Sequence, residues 1–359
     1  MVKTFKMLGL MSGTSLDGLD LAYCHIMKNK DQWSFEILNT KSVSYTVEMQ
    51  AELKDAIFLQ ADKLLVFNNE YGTWLGEQSI EFIKENALEV DYIASHGHTT
   101  HHQPQNGLTY QIGSGQHLAN ASGHRVVCDF RTNDVSLGGQ GAPLVPIGDR
   151  LFFGNYDFCL NLGGISNVSF EQKGKRIAYD IGLANMILNY ITRKIDLDYD
   201  KGGELARNGT INSKMLEKLN GLAYYLLPHP KSIGYEWFVE EVAPIVDETD
   251  DHIENLLHTA VHHICEKVAQ QIKRNSTGNR QSLFVSGGGA LNHFLIDTLQ
   301  EKVGSDTKVV VPEPTLIEFK EALVFALMGA LRMEQEINIL CSVTGAKRDS
   351  SSGVLYLPN

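Results

Sequence analysis

The chain has 359 residues, 43% of them hydrophobic and 21% charged, enough apolar content to fill the cores of about two domains and too much for disorder. Lys and Arg number 31 against 43 Asp and Glu, a formal net charge of −12, which argues against nonspecific attraction to nucleic acid or an anionic membrane. The five cysteines (Cys24, Cys128, Cys159, Cys265, Cys341) are scattered without CxxC spacing, so a disulfide framework or zinc ribbon is not expected and a reducing cytoplasm is.

At the N-terminus the apolar stretch before Gly13 is too short for a signal-peptide core. Phe5–Gly18 reads as a strand entering a glycine-bearing turn, and the same pattern returns at Tyr92–Gly97, Val126–Asp129, Phe158–Phe170, Ile177–Asn189 and Leu283–Asn292. Helices fall between these runs. Leu64, Phe67, Tyr71, Trp74, Leu75 and Phe82 share one face at helical spacing, as do Val261, Ile264, Cys265, Val268 and Ile272. The longest apolar run, Ala322–Leu331, falls short of the roughly 18 residues a bilayer span needs and reads as a buried helix. Strands alternating with helices predict an α/β protein with ligand groups at strand ends.

Four segments carry candidate chemistry. In GLMSGTSLDGLD (Gly9–Asp20), Gly13 and Gly18 let backbone N–H groups approach an anion, and Thr14 and Ser15 add hydroxyls. Asp17 and Asp20 suit Mg²⁺ held through water; an ordinary hairpin fits the same pattern. NLGGISNVSF (Asn161–Phe170) sets Gly163, Gly164, Ser166 and Asn167 in a second phosphate-turn candidate or a plain Gly-Gly hairpin. LFVSGGGALN (Leu283–Asn292) runs from a strand through Gly287, Gly288 and Gly289 to a helix start, and lacks the G-x-G-x-x-G dinucleotide spacing. In VVCDFRTND…LGGQGAPLVP (Val126–Pro146) a buried strand delivers Asp129 at its tip, where a general base belongs; an Asp129–Arg131 ion pair is the alternative. The histidines of SHGHTTHHQP lack a neighbouring Cys, Asp or Glu, so a turn with one or two sugar-binding histidines is favoured over zinc. Phosphate-turn candidates in both halves fit two similar lobes closing on a nucleotide.

Together these segments resemble the anhydro-N-acetylmuramic acid kinase family of the actin-like ATPase superfamily, with MSGTSLDG, DFR…D…LGGQGAPLVP and SVTGA (Ser342–Ala346) carrying the likeness over nearly the whole chain. The resemblance implies a two-lobe actin-like ATPase fold with nucleotide in the interlobe cleft, the first lobe holding about 1–130 and taking back 338–359, the second 131–337. It implies ATP-dependent, Mg²⁺-assisted hydrolysis and O6-phosphorylation of 1,6-anhydro-N-acetylmuramic acid from peptidoglycan turnover. Asp129 matches the base. Gly13, Thr14, Ser15, Leu16, Asp17, Gly18, Leu19 and Asp20 hold phosphate, with Asp17 reaching Mg²⁺ through water. Gly163, Gly164, Ser166 and Asn167 fill the second phosphate motif, and Gly287, Gly288, Gly289 and Asn292 the adenosine motif. His96, Arg131, Asp134, Asp180, Asn185 and Glu321 fall to the sugar. The expected partners are ATP and an anhydro amino sugar, without nucleic acid or membrane; a homodimer is compatible with the chain, and the sequence leaves the oligomeric state open. Three segments depart from the family pattern: DIGLAN (Asp180–Asn185) for DTGPGN, KSIGYE (Lys231–Glu236) for KSTGRE, and HGHT, with His98 in the place of Gln. Two rivals stand beside this reading: a kinase of another sugar or small carboxylate, and a non-catalytic ATP switch of the same fold.

Overall fold

The computed structural model describes residues 2–13, 16–276, 278 and 280–359. The elements that matter for the site begin with β1 (Lys3–Ser12), β2 (Gly18–Asn29), β3 (Gln32–Ser44), α1 (Ala61–Glu85), β4 (Tyr92–Ser95) and β5 (Val126–Cys128). They continue with β6 (Phe158–Leu162), β7 (Ile165–Gln172), β8 (Lys175–Leu183), α2 (Ile253–Asn275) and β9 (Gln281–Ser286). The last are α3 (His293–Val303), β10 (Thr307–Val310), α4 (Pro314–Met333) and β11 (Val354–Tyr356). No helix among the described residues is long and apolar enough to cross a membrane.

Two units divide the chain, one running to Phe152 and resuming at Phe319–Asn359, the other spanning Phe153–Glu318. The junctions fall at 152/153 and 318/319 where the sequence suggested 130/131 and 337/338. Packing explains the shift. A Cβ built on Gly148 would meet Val324 Cγ2 at 2.4 Å, and the Phe130 and Phe325 rings lie 5.7 Å apart. The segment after Asp129 and most of α4 therefore belong with the first sheet.

The first sheet runs β11-β5-β4-β1-β2-β3, and the second β8-β7-β6-β9-β10. Each is built to one plan. Three strands joined by short turns form an antiparallel meander, and two more add in parallel beyond its first strand. Parallel neighbours need long crossovers, and α1 and α2 supply them ahead of β4 and β9. The two similar halves expected from the motifs are thus present as a repeated topology.

Burial follows the sequence pattern. On β2, Leu19, Leu21 and Tyr23 face one side and Ala22, Cys24 and Ile26 the other, and all are buried, as for a strand covered on both faces. On α2, Leu257, Val261, Ile264, Val268 and Ile272 recur every three or four residues and enter the core of the second unit. The α4 backbone comes so close to β1 that a Cβ on Gly9 would lie 1.9 Å from the Ala322 carbonyl oxygen. Backbone cannot yield as a flexible side chain would. Gly9→Ala is expected to destabilise the protein by at least about 1–3 kcal/mol, read as a lower denaturant midpoint at unchanged m-value.

Candidate functional site

In the first unit, β1 and β2 are joined by the glycine-bearing turn. Thr14 and Ser15 lie outside the described residues. Beside them, Leu16 adopts the left-handed backbone (φ 60°), uncommon for a branched side chain, and its carbonyl accepts from Gln50 Nε2 at 3.0 Å. Asp17 is exposed, and Asp20 accepts from Ser42 Oγ at 2.5 Å. Leu19 is wholly buried, so its side chain serves the core and leaves only its backbone for a ligand. Ser12, ending β1, joins a network that sequence reasoning missed: its Oγ accepts from Tyr45 O–H at 2.7 Å and lies 3.1 Å from His98 Nδ1, while Tyr45 O–H contacts Tyr71 O–H at 2.8 Å. Tyr45 follows β3 with no motif around it, so only the tertiary contact exposes it. Burial lowers the His98 imidazole to about 4.

β5 delivers Asp129 as expected, half-buried and at φ 60°, with Oδ1 accepting the Thr132 N–H at 3.3 Å. Arg131 does not take up the ion pair with Asp129 that spacing suggested. Its Nε and Nη2 donate to His96 Nε2 at 3.1 and 2.8 Å, and Nη1 donates to the Gly141 carbonyl at 2.6 Å. Because Nε2 accepts, the His96 proton sits on Nδ1, which faces the backbone of Ser12 and Gly97 without meeting an acceptor among the described residues. Burial and then the Arg131 charge push His96 down to about 3, and burial brings Arg131 down to about 10. Glu321 is solvent-accessible on α4; desolvation raises its carboxyl, Lys320 and Arg131 pull it down, and Asp20 and Asp17 push it up.

Asp134 differs from its expected place on the sugar. It is wholly buried, with Oδ1 accepting from Thr344 Oγ1 at 2.7 Å and Oδ2 from the Gly141 N–H at 2.8 Å. Its carboxylate pins the GGQGAP loop to the SVTGA segment, where Gln140 N–H also donates to the Thr344 carbonyl at 2.8 Å.

In the second unit the β6–β7 turn carries Gly163 and Gly164, whose carbonyls accept from Asn185, Ala184 and Met186 N–H groups. Ser166 is buried and its hydroxyl donates to the Gly182 carbonyl at 2.9 Å, so it braces the strand pair; Asn167 faces Asp180 across the ladder. Between Asp180 and Gly182 the register shifts, a bulge that re-aims the strand. Asp180 Oδ2 accepts the Ile233 N–H at 3.2 Å, and burial raises the carboxyl above its ordinary value against the pull of Ile233 and Lys231. Asn185 Nδ2 donates to the Leu162 carbonyl at 3.2 Å.

β9 is followed by Gly287 (φ 80°), where a Cβ would meet Asn161 Oδ1 at 2.5 Å and the Leu162 backbone at 2.9 Å, so the turn admits only glycine. Gly288 and Gly289 follow in a short 3₁₀ turn. Asn292 caps α3, its Oδ1 accepting the Leu295 N–H at 3.0 Å. Next to this turn lies a largely apolar cavity of about 340 Å³, lined by residues including Leu291, His293, Ile296, Val311 and Pro312. The Val-Val-Val-Pro run after α3 was the available sequence signal for its far wall.

Each unit is thus an α/β body with a glycine turn where its meander begins and polar side chains at its strand ends, the make-up of a nucleotide- or phosphate-handling protein. Residues 5–358 match the family described as anhydro-N-acetylmuramic acid kinase. Curated relatives of that name are 32% identical in Sulfurimonas denitrificans, over 97% of this chain and 98% of the relative, and 32% identical in Aliivibrio fischeri, over 99% and 100%. The chain belongs to the anhydro-N-acetylmuramic acid kinase family, a family of phosphotransferases. More distantly, a Streptomyces griseus ROK family glucokinase solved with glucose and AMPPNP aligns at 10% identity and TM-score 0.39, over 90% of this chain and 98% of that one.

The buried neutral histidines set an acid limit. Groups held below their unfolded value contribute stability that is present above about pH 6.5 and is lost as pH falls toward the folded values, about 3 for His96 and 4 for His98. Each is expected to add a slope of up to about 1.4 kcal/mol per pH unit in that window. Denaturant melts from pH 7 to 4.5 should show a shallower loss in His96→Gln than in the wild type.

Proposed function

We propose that the protein is an ATP-dependent kinase of 1,6-anhydro-N-acetylmuramic acid, giving N-acetylmuramic acid 6-phosphate in cell-wall turnover. The observation that carries this is the end-to-end family match, from residue 5 to 358. The chemistry needs one base and one nucleotide. A water loses its proton to the base and attacks the anomeric carbon, the C1–O6 bond breaks, and the freed O6 takes the γ-phosphoryl group.

The segments Gly13–Asp20 and Gly163–Asn167 are assigned to phosphate, to be met by backbone N–H groups, and neither contains Lys or Arg. Gly287–Gly289 and the apolar cavity beside them suit a planar purine. Among the described residues no group of three or more His, Cys, Asp or Glu could ligate a metal directly. Asp17 and Asp20, close enough to perturb Glu321, instead fit a Mg²⁺ held through its waters, which would neutralise phosphate charge when bound. Because the phosphate turns lack cationic side chains, EDTA is expected to abolish turnover and added Mg²⁺ to restore it. Undiminished turnover in EDTA would overturn the arrangement. On the sugar side, the family likeness keeps His96 and Asn185 as sugar contacts, and Arg131 orients His96. All five cysteines are free thiols and four are buried, which supports a cytoplasmic site of action.

Two carboxylates compete for the base. The family likeness points to Asp129, and its strained backbone at a strand tip suits a functional residue. Asp180 has the stronger physical case: it is half-buried on a bulge, anchored through one oxygen, and raised toward the range where a carboxylate accepts a proton well. We assign the base to Asp180. Asp180→Asn should cut kcat by about 10²–10⁴ while ATP affinity holds, and Asp129→Asn should stay within tenfold; the reverse pattern returns the base to Asp129. The wild-type rate should fall on acidification, with its acid limb above the ordinary aspartate value of 3.8. Transfer of ¹⁸O from water to C1 of the product separates this reaction from direct phosphorylation of an open sugar.

A further inference from the structure

A second cavity in the same unit, about 80 Å³, opens where the edge strand β8 meets the C-terminal end of α2. Its floor is aromatic: the His229 ring stacks on Tyr179 with centroids 5.1 Å apart and planes within 9°. Tyr179 O–H donates to Gln271 Oε1 at 3.1 Å and accepts from Asn275 Nδ2 at 3.1 Å, which leaves the Gln271 amide hydrogens for the cavity. Lys231 and Arg274 complete the wall.

The charge here runs against the rest of the molecule. In a chain of net charge −12, Lys231 and Arg274 converge, and neither makes an ion pair among the described residues. Among the described residues Lys231 Nζ meets the Tyr224 carbonyl at 3.3 Å and the Tyr224 ring at 4.3 Å. Burial, Arg274 and Lys267 all press its ammonium toward neutrality, and Asp180 alone opposes them. Two cations set against the single carboxylate of Asp180 leave an excess of positive charge that an anion would neutralise. The volume equals the liquid share of two or three waters, room for one small oxyanion.

We propose that this cavity binds a small oxyanion, a carboxylate or a phosphate, clamped between Lys231 and Arg274 and capped by the Gln271 amide. Its position ties occupancy to Asp180: the Lys231 carbonyl accepts the Asp180 N–H at 3.2 Å, and two residues on, Ile233 N–H holds the Asp180 carboxylate. The anion therefore braces the segment that orients Asp180. Two sources share this chemistry, free phosphate and the carboxylate of the acidic amino sugar; the second rests on the function proposed above. Within Lys231–Glu236, Lys231 is the one cationic residue.

The test uses the full chain with Arg274→Met, Lys231→Met and, as a control on the same helix end, Lys273→Met. Calorimetry with inorganic phosphate is paired with KM for 1,6-anhydro-N-acetylmuramic acid and for 1,6-anhydro-N-acetylglucosamine, which lacks the carboxylate. For a free-phosphate site, Arg274→Met and Lys231→Met weaken phosphate binding at least tenfold and move neither KM. For a carboxylate site, the same two variants raise KM about tenfold for the acidic sugar only. Lys273→Met changes nothing in either case. Phosphate binding and both KM values that match wild type in Arg274→Met and Lys231→Met would overturn the proposal. If the wild type turns over neither sugar, the proposed function fails, and the phosphate titration still decides for or against the cavity.

Discussion

A single guanidinium organises the polar face of the first unit. Arg131 is half-buried, where a charge is costly unless its donors are met. His96 Nε2 and the Gly141 carbonyl meet them, and Glu321 lies within electrostatic range. Each consequence follows from that contact. His96 is held neutral by burial and by the Arg131 charge, with its proton on Nδ1. The GGQGAP loop is drawn in from one side by Arg131, while Asp134 and Thr344 hold it from the other. Losing the arginine would leave an imidazole, a carbonyl and a carboxyl without their shared partner.

The second unit meets a parallel problem with different groups. Its strand order repeats that of the first, so the turn between its first two strands and the end of its fourth strand fall at corresponding places in the sheet. Gly163–Gly164 and Gly287–Gly289 occupy them, and backbone is the main polar surface they offer. Asp180 adds a carboxylate on a bulge, kept from relaxing by Ile233 and by the Tyr224 hydroxyl on its carbonyl at 2.7 Å.

Much of this was legible in the chain. The helical spacing of Leu64 to Phe82 and of Val261 to Ile272 anticipated two long buried faces, and the strand–turn pattern anticipated both sheets. The candidate turns were also legible, since few residues besides glycine tolerate such close backbone approach. Side-chain assignments inside the motifs were less so. Leu19, Ser166, Asn292 and Asp134 sit in ligand-like motifs, yet one fills the core, one braces a strand pair, one caps a helix and one pins a loop. A motif records that a residue belongs to the site's neighbourhood; it does not record which way the residue points.

Local pattern by itself determined the α/β class, the alternation of strands with helices, the glycine turns and the family, because hydrophobic period and φ preference are properties of short stretches. Tertiary structure alone decided where the two units divide, that Arg131 serves His96 in place of Asp129, that Tyr45 joins Ser12 and His98, and that Lys231 and Arg274 face one cavity. Those outcomes depend on groups far apart in the chain sharing a dielectric and a hydrogen bond, and no spacing rule encodes such distances.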